Sequence, residues 1–241
     1  MFCSKPILLI CFCLLLRLRG TVSSSPLFHF CFSEGNYTSH TLYGFNLNNL
    51  LNSLSKTTPP TGFSLGSNGK GQYRVNGLAL CRGDVSTEDC KTCVAEASTE
   101  IRQRCPTNKG AAIWYDYCLL KFSNLEFFGE IDNQYRFYMW NVQEVSNPAE
   151  FNAKVKYLLN AVSRKAYATP KLYATGELEL GASQKLYGLA QCSRDLSSAN
   201  CQSCLDQAIS ELPNCCDAKR GGRVVGASCN FRYELYPFVN A

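Results

Sequence analysis

Cys201, Leu205, Ala208, Ile209 and Leu212 recur at helical spacing and predict the core-facing stripe of a helix. That helix opens in Ser197-Ser198-Ala199-Asn200, a run rich in capping residues, and Ser86-Thr87-Glu88-Asp89 opens a matching one earlier. Two further helices are predicted over Leu42–Ser55 and Pro148–Arg164, the second with a proline suited to a first helical position. Elsewhere the period changes to two. Gln134-Tyr135-Arg136-Phe137-Tyr138-Met139-Trp140 alternates, and so does the tail from Arg223 through Cys229 to Pro237, with Gly226-Ala227-Ser228 as a turn between two strands. The elements fall into two similar groups. The predicted fold is therefore α+β: two tandem domains, each with two helices packed on an antiparallel β-sheet.

A repeat at constant offset supports the same division. Cys81, Cys90, Cys93, Cys105 and Cys118 reappear 111 residues later as Cys192, Cys201, Cys204, Cys216 and Cys229, each set reading C-x8-C-x2-C-x11-C-x12-C. Gly77-Leu78-Ala79 matches Gly188-Leu189-Ala190, and Asp84 and Ser86 match Asp195 and Ser197. Upstream, Leu50-Leu51-Asn52 resembles Leu158-Leu159-Asn160 at an offset of 108, so one loop differs by three residues. Two cysteines break the symmetry: Cys31 precedes the first set alone, and Cys215 stands beside Cys216 where the first copy has Arg104.

The start of the chain decides the redox state of these thiols. Lys5, the uncharged apolar run Ile7–Leu16 and the small residues Gly20 and Ser23–Ser25 predict a secretory leader over residues 1–24, too short to span a bilayer. Its removal takes Cys3, Cys11 and Cys13 and leaves twelve of the 15 cysteines in a chain bound for an oxidising space. Domains are then expected over 25–132 and 133–241. Lys5, Arg17 and Arg19 leave with the leader, so the formal net charge falls from +5 to about +2. That is too weak to argue for nucleic acid or an anionic membrane as a partner. No later run approaches eighteen apolar residues, so no membrane anchor is expected. Asn36 in Asn36-Tyr37-Thr38 is the candidate glycosylation site.

Zinc would ask for four thiolate or imidazole ligands, yet each copy offers five or six cysteines, and His29 and His40 are the only histidines. No metal and no cofactor is expected. A redox C-x2-C pair lacks an obvious βα unit around it. Structural disulfides are favoured, with fifteen connectivities open to six cysteines.

The tandem C-x8-C-x2-C spacing after a leader, with the ending Arg232-Tyr233-Glu234-Leu235-Tyr236-Pro237-Phe238, resembles the plant cysteine-rich repeat secretory proteins. Their repeat is the ginkbilobin-like, salt-stress and antifungal domain, which also forms ectodomains of cysteine-rich receptor-like kinases and plasmodesmata-located proteins. The resemblance covers nearly the whole mature chain. It implies the pairs Cys31–Cys105, Cys81–Cys90 and Cys93–Cys118, then Cys192–Cys201 and Cys204–Cys229. Cys216 is left without its usual partner. Counting back eleven residues from Phe151-Asn152 places Trp140 where the family has its first cysteine; Cys215 is then the candidate partner of Cys216 in a vicinal bridge, the alternative being that both stay thiols.

The antifungal founder of the family resembles a mannose-binding lectin whose site combines an Asn, an Arg and a Glu. The matching positions in the second copy are Asn141, Arg223 and Glu234, the candidate carbohydrate-binding residues. A guanidinium fork, a carboxylate and an amide together can grip neighbouring sugar hydroxyls. The first copy has Phe32, Ala112 and Ser123 there and is expected to be silent. A structural alternative pairs Arg223 with Glu234 across two strands. Of the remaining signals, Trp114-Tyr115-Asp116-Tyr117 is expected in the core, Phe127-Phe128 at an interdomain contact, and Lys219-Arg220-Gly221-Gly222-Arg223 in a solvated loop.

No G-x-S-x-G, H-E-x-x-H, phosphate-loop or dinucleotide motif is present, and an enzyme is not expected. Two binding classes remain. One is an extracellular (apoplastic) defence or stress module that recognises proteins such as receptor ectodomains or secreted defence enzymes. The other is a mannose-type antifungal lectin acting on cell-wall or fungal glycans through the second domain.

Overall fold

The computed structural model describes residues 25–181 and 184–240, apart from the side chains at 33 and 34. The predicted leader lies outside the described residues. The first half runs β1 (Phe28–Asn36), α1 (Leu42–Thr57), β2 (Phe63–Asn68), β3 (Val75–Cys81), α2 (Thr87–Arg104), β4 (Asn108–Trp114) and β5 (Cys118–Ser123). The second runs β6 (Arg136–Trp140), α3 (Pro148–Tyr167), β7 (Tyr173–Gly181), β8 (Gln184–Cys192), α4 (Ser198–Ser210), the single turn α5 (Leu212–Cys215), β9 (Gly222–Gly226) and β10 (Cys229–Glu234). Each half forms one five-stranded antiparallel sheet, in the orders β1-β4-β5-β3-β2 and β6-β9-β10-β8-β7. The second half repeats the first strand for strand.

The helices start where the sequence caps them. The Ser86 hydroxyl accepts from the Asp89 N–H at 3.1 Å and donates to the Asp89 carboxylate at 2.7 Å, and Ser197 accepts from the Asn200 N–H at 3.1 Å. α1 and α2 cover one face of the first sheet, burying Leu47, Leu51, Val94 and Ile101 against Ala79, Ile113 and Phe122. α3 and α4 do the same in the second half, with Leu158, Leu159 and Leu205 against Ala190, Val224 and Phe231. The repeated glycines let the first helix of each half lie close: a Cβ on Gly77 would reach Leu50 at 3.0 Å, and one on Gly188 would reach Leu158 at 3.1 Å.

The opposite faces of the sheets meet each other. Leu78, Ala112, Trp114 and Leu119 of the first half form one buried cluster with Val225 and Ala227 of the second, packed by Phe30, Phe32, Tyr135 and Phe137. This explains why β3 and β5 are buried along their whole length rather than alternating: helices cover one face and a second sheet the other. The layer order is helices, sheet, sheet, helices. The rings of Phe32 and Tyr135 stack at 4.2 Å, and the Trp114 indole N–H donates to the Gly226 carbonyl at 3.1 Å. Phe127 packs on this cluster as well, so the expected interdomain contact forms.

One contact is made twice. The Gly129 N–H, beyond β5, donates to the Asp195 carboxylate at 2.9 Å, and the Asn240 N–H, beyond β10, donates to the Asp84 carboxylate at 2.7 Å. Donors and acceptors alike are 111 residues apart, so each half holds the segment that trails from the other. The halves are related by an approximate two-fold axis.

Six disulfides lie among the described residues: Cys31–Cys105, Cys81–Cys90, Cys93–Cys118, Cys192–Cys201, Cys204–Cys229 and the adjacent pair Cys215–Cys216. The strand register shows why the sixth differs. Cys31 sits opposite Ala111, and Trp140 sits opposite Gly222, the repeat counterpart of Ala111. Trp140 thus occupies the place of Cys31 on the edge strand, and Cys216 turns to its own neighbour. No helix among the described residues is long and apolar enough to cross a membrane.

Candidate functional site

Alternation along the second sheet sorts its side chains. Val224, Phe231 and Tyr233 point to the helices, so Arg223, Arg232 and Glu234 stand on the face turned to the first domain. Arg223 and Arg232 are direct cross-strand partners, an arrangement of like charges that is unfavourable without an anion between them. The anion comes from the other half. Asp116, in the turn between β4 and β5, takes Arg223 Nη1 at 2.6 Å and lies 3.9 Å from Arg232.

Around this centre the charges are matched. Arg232 Nε binds the Glu234 carboxylate at 3.0 Å, and its guanidinium lies 4.3 Å from the centre of the Phe238 ring. Arg82 grips Asp84 with two parallel bonds of 2.6 and 2.8 Å and covers the Tyr117 ring at 5.0 Å. Burial by itself would raise the Asp116 carboxyl, but Arg223, with Arg232 and Arg82 behind it, holds it below the usual carboxylate range. Burial lowers the Arg223 value against the pull of Asp116, and the guanidinium stays charged.

Asn141 follows β6. Its N–H donates to the Gly221 carbonyl at 2.9 Å, and its side-chain oxygen accepts from the Gln143 N–H at 2.9 Å, closing a local turn. Gly221 is also pressed against Glu234, and a Cβ there would strike the carboxylate. The sequence-predicted trio is therefore brought to one corner of the sheet, with Asn141 and Glu234 sharing Gly221 as a neighbour. Arg223 is committed elsewhere. Its side chain is 12 % exposed, one end is held by Asp116, and Nε is buried without a partner. The cavity against it measures about 40 Å³, room for a water but not for a pyranose ring.

Two expectations are corrected here. Arg223 and Glu234 do not pair with each other: Arg223 reaches across the domain boundary to Asp116, and Glu234 takes Arg232. Lys219-Arg220-Gly221-Gly222-Arg223 is a loop only in part: Gly222 and Arg223 belong to β9, while the half-buried Lys219 and Arg220 bind Glu144 and Gln143. Asp116, expected in the core, instead bridges the domains with its side chain half exposed. A signal for it exists. At the repeat positions 112 and 223 the copies have Ala112 and Arg223, and at 116 and 227 they have Asp116 and Ala227. The copies differ by one charge at each of two sites, and those two charges meet.

The pairing has a pH signature. A carboxyl depressed in the folded state contributes stability at pH values above its unfolded value, about 3.9, and that contribution is lost as pH falls through the lower folded value. Asp84 acts in the same direction: burial opposes it, but Arg82 and the Asn240 N–H depress it further. We expect the melting temperature to fall steeply only below about pH 4, and Asp116→Asn to flatten that acid limb relative to the wild type. Melting curves from pH 2 to 6 test this. An unchanged acid limb in the variant would remove Asp116 from the interdomain account.

Comparison with known proteins agrees with this architecture. The family described as Salt stress response/antifungal matches residues 30–125 and again 140–236. The chain is 65 % identical over 226 residues to an antimicrobial ginkbilobin-2-like protein of Castanea crenata, covering 94 % of each. It is 54 % identical over 225 residues to cysteine-rich repeat secretory protein 38 of Arabidopsis thaliana, covering 92 % of this chain and 89 % of that one. Among solved structures, the tandem DUF26 ectodomain of the Arabidopsis thaliana cysteine-rich receptor-like protein PDLP8 superposes with a TM-score of 0.79 at 26 % identity. The match covers 89 % of this chain and all of that one.

Proposed function

The chain belongs to the salt stress response/antifungal family of secreted cysteine-rich repeat proteins, and from that footing we propose that it acts without catalysis, as an extracellular module that binds other proteins. The observation that carries this reading is the Asp116–Arg223 bond, which spends the key sugar-gripping cation on holding the two domains together. What the molecule then offers is its outer surface. The free edge strand β6 presents Tyr138 and Trp140, with Val142 beyond it; Trp140 is 53 % and Val142 87 % exposed. Aromatic side chains of this kind are the usual anchors of protein interfaces. The likeness to receptor-like ectodomains supports receptor ectodomains or secreted defence enzymes as the class of partner. In this reading the units are 25–132 and 133–241, and Asn36, exposed at the end of β1, is the glycan acceptor.

A second reading keeps the lectin. It is favoured by the presence of Asn141, Arg223 and Glu234 at one corner. It requires Asp116 to let go of Arg223. One experiment separates the two. Tagged protein is incubated with extracellular fluid, and separately titrated with mannan while its melting temperature is followed. We expect recovered protein partners, about tenfold less recovery with Trp140→Ala plus Val142→Ala, and no shift with mannan. A mannan shift that disappears in Arg223→Ala and Glu234→Ala, without recovered proteins, would establish the lectin instead. In that case Asp116→Ala would tighten mannan binding.

A further inference from the structure

The second domain contains a cavity of about 260 Å³ between the end of α4, the turn α5 and the face of α3. Val155, Ile209, Leu212, Cys216 and the Tyr233 ring form its walls, so the vicinal disulfide is part of the lining. The Tyr233 hydroxyl is already used, its single proton shared between the Cys216 and Lys219 carbonyls at 3.1 Å each, which fixes the ring as an apolar floor. The mouth is polar. Asn152, Lys156 and Asp217 stand there.

Comparing the copies position by position shows how the cavity arises. The counterpart of Leu212 is Ile101, which is fully buried, whereas Leu212 is half-buried at the cavity wall. The counterpart of Pro213 is Arg102, and that side chain straps the two helices of the first domain. Its Nε donates to the Ser98 carbonyl at 3.1 Å and its Nη1 to Asn48 Oδ1 at 2.7 Å. The counterpart of Asn48 is Lys156. A proline cannot reach across, and the lysine that replaces the strap's acceptor can only repel a cation. Without a Cys31 equivalent, Cys216 bonds back to Cys215, the last residue of α5.

We propose that this cavity is a binding site for a small amphipathic carboxylate, an acid with a single ring, seated ring-first with its charge at Lys156. The volume fits, since an apolar void of about 150 Å³ already holds benzene. The mouth carries one charge of each sign: Lys156 is exposed and forms no ion pair among the described residues, whereas the Asp217 carboxylate is hydrogen-bonded by Asn152 Nδ2 at 2.6 Å and keeps its charge, so the bound carboxylate sits on the Lys156 side. An apolar pocket with one free cation at its mouth selects an anion with an apolar body. The site lies on the helix side of the sheet, away from the Asp116–Arg223 centre, and its occupancy does not depend on either reading of that centre.

Titration calorimetry and methyl NMR with benzoate test it on the intact protein. We expect saturable one-site binding with a Kd of about 1 mM or tighter, and shifts confined to the methyls of Val155, Ile209 and Leu212. Lys156→Gln should weaken benzoate about tenfold and leave benzyl alcohol unchanged, since it removes the charge and spares the walls. Lys156→Asn with Pro213→Arg rebuilds the strap of the first domain and should abolish both. Absence of saturable binding, shifts at other methyls, or equal affinity for benzoate and benzyl alcohol in the wild type would overturn the proposal.

Discussion

Replacing Cys31 and Cys105 by alanine is expected to destabilise the first domain by about 4 kcal/mol, the largest effect of any single bridge in the molecule. The reason is loop length. This disulfide closes 74 residues, whereas the other two of the first half and their counterparts in the second close 25 or 9. It also ties the edge strand β1 to the end of α2, so its loss frees a strand that has one neighbour in the sheet. The second domain supplies the control. Cys215–Cys216 spans one position, removes almost no chain entropy from the unfolded state, and its replacement should cost far less. Urea unfolding of the two double variants, followed by circular dichroism, gives the comparison. Equal losses would show that the long bridge does not act through the unfolded chain.

Asp132→Ala is expected to cost about 3–4 kcal/mol, because it strands a buried ammonium. Lys121 Nζ lies 2.7 Å from Asp132 Oδ2, with the two side chains only 7 % and 11 % exposed, and 4.4 Å from the centre of the Phe127 ring. Asp132 does more than neutralise it. Its N–H donates to Ser228 Oγ at 2.8 Å, and its second oxygen accepts from the Gln134 and Tyr135 N–H groups at 2.9 and 3.1 Å. The residue thus turns the chain between the domains and docks that turn on both. Lys121→Met combined with Asp132→Asn keeps the turn and removes both charges, and should cost about 1 kcal/mol or less. Denaturant melts of the single and double variants read the coupling. A double variant as unstable as Asp132→Ala would mean that the turn, not the ion pair, carries the effect.

Regular elements with strong periodicity could be read from the chain alone. Leu42–Ser55 and Pro148–Arg164 fall inside α1 and α3; the alternating run at 134–140 contains β6, and that at 223–237 contains β10 and all of β9 but its first residue, Gly222. The reading did not assign β1, although Phe28, Phe30 and Phe32 alternate visibly, because that run adjoins the leader. β2 and β7 escaped it as edge strands with mixed polar faces, and β3, β5 and β8, buried over most of their length and so without a period of two, went unassigned as well. The candidate site was legible in residue type and illegible in partnership. Asn141, Arg223 and Glu234 do gather at one corner, but which charge answers Arg223 depends on how two sheets pack, and Asp116 is 107 residues away. A cavity made by Pro213 and Leu212 is likewise invisible until the first domain shows what fills the same place.

The doubled clasp of Gly129 on Asp195 and Asn240 on Asp84 describes a homodimer written into one chain. Such a duplicated interface is self-complementary, and either half could in principle pair with its own kind on another molecule. The charge at its centre decides otherwise. First half against first half would set Asp116 opposite Ala112, and second against second would set Arg223 opposite Ala227, leaving a charge unanswered in each case. Only unlike halves satisfy both residues. This ion pair therefore helps two modules of one fold to prefer each other to copies of themselves.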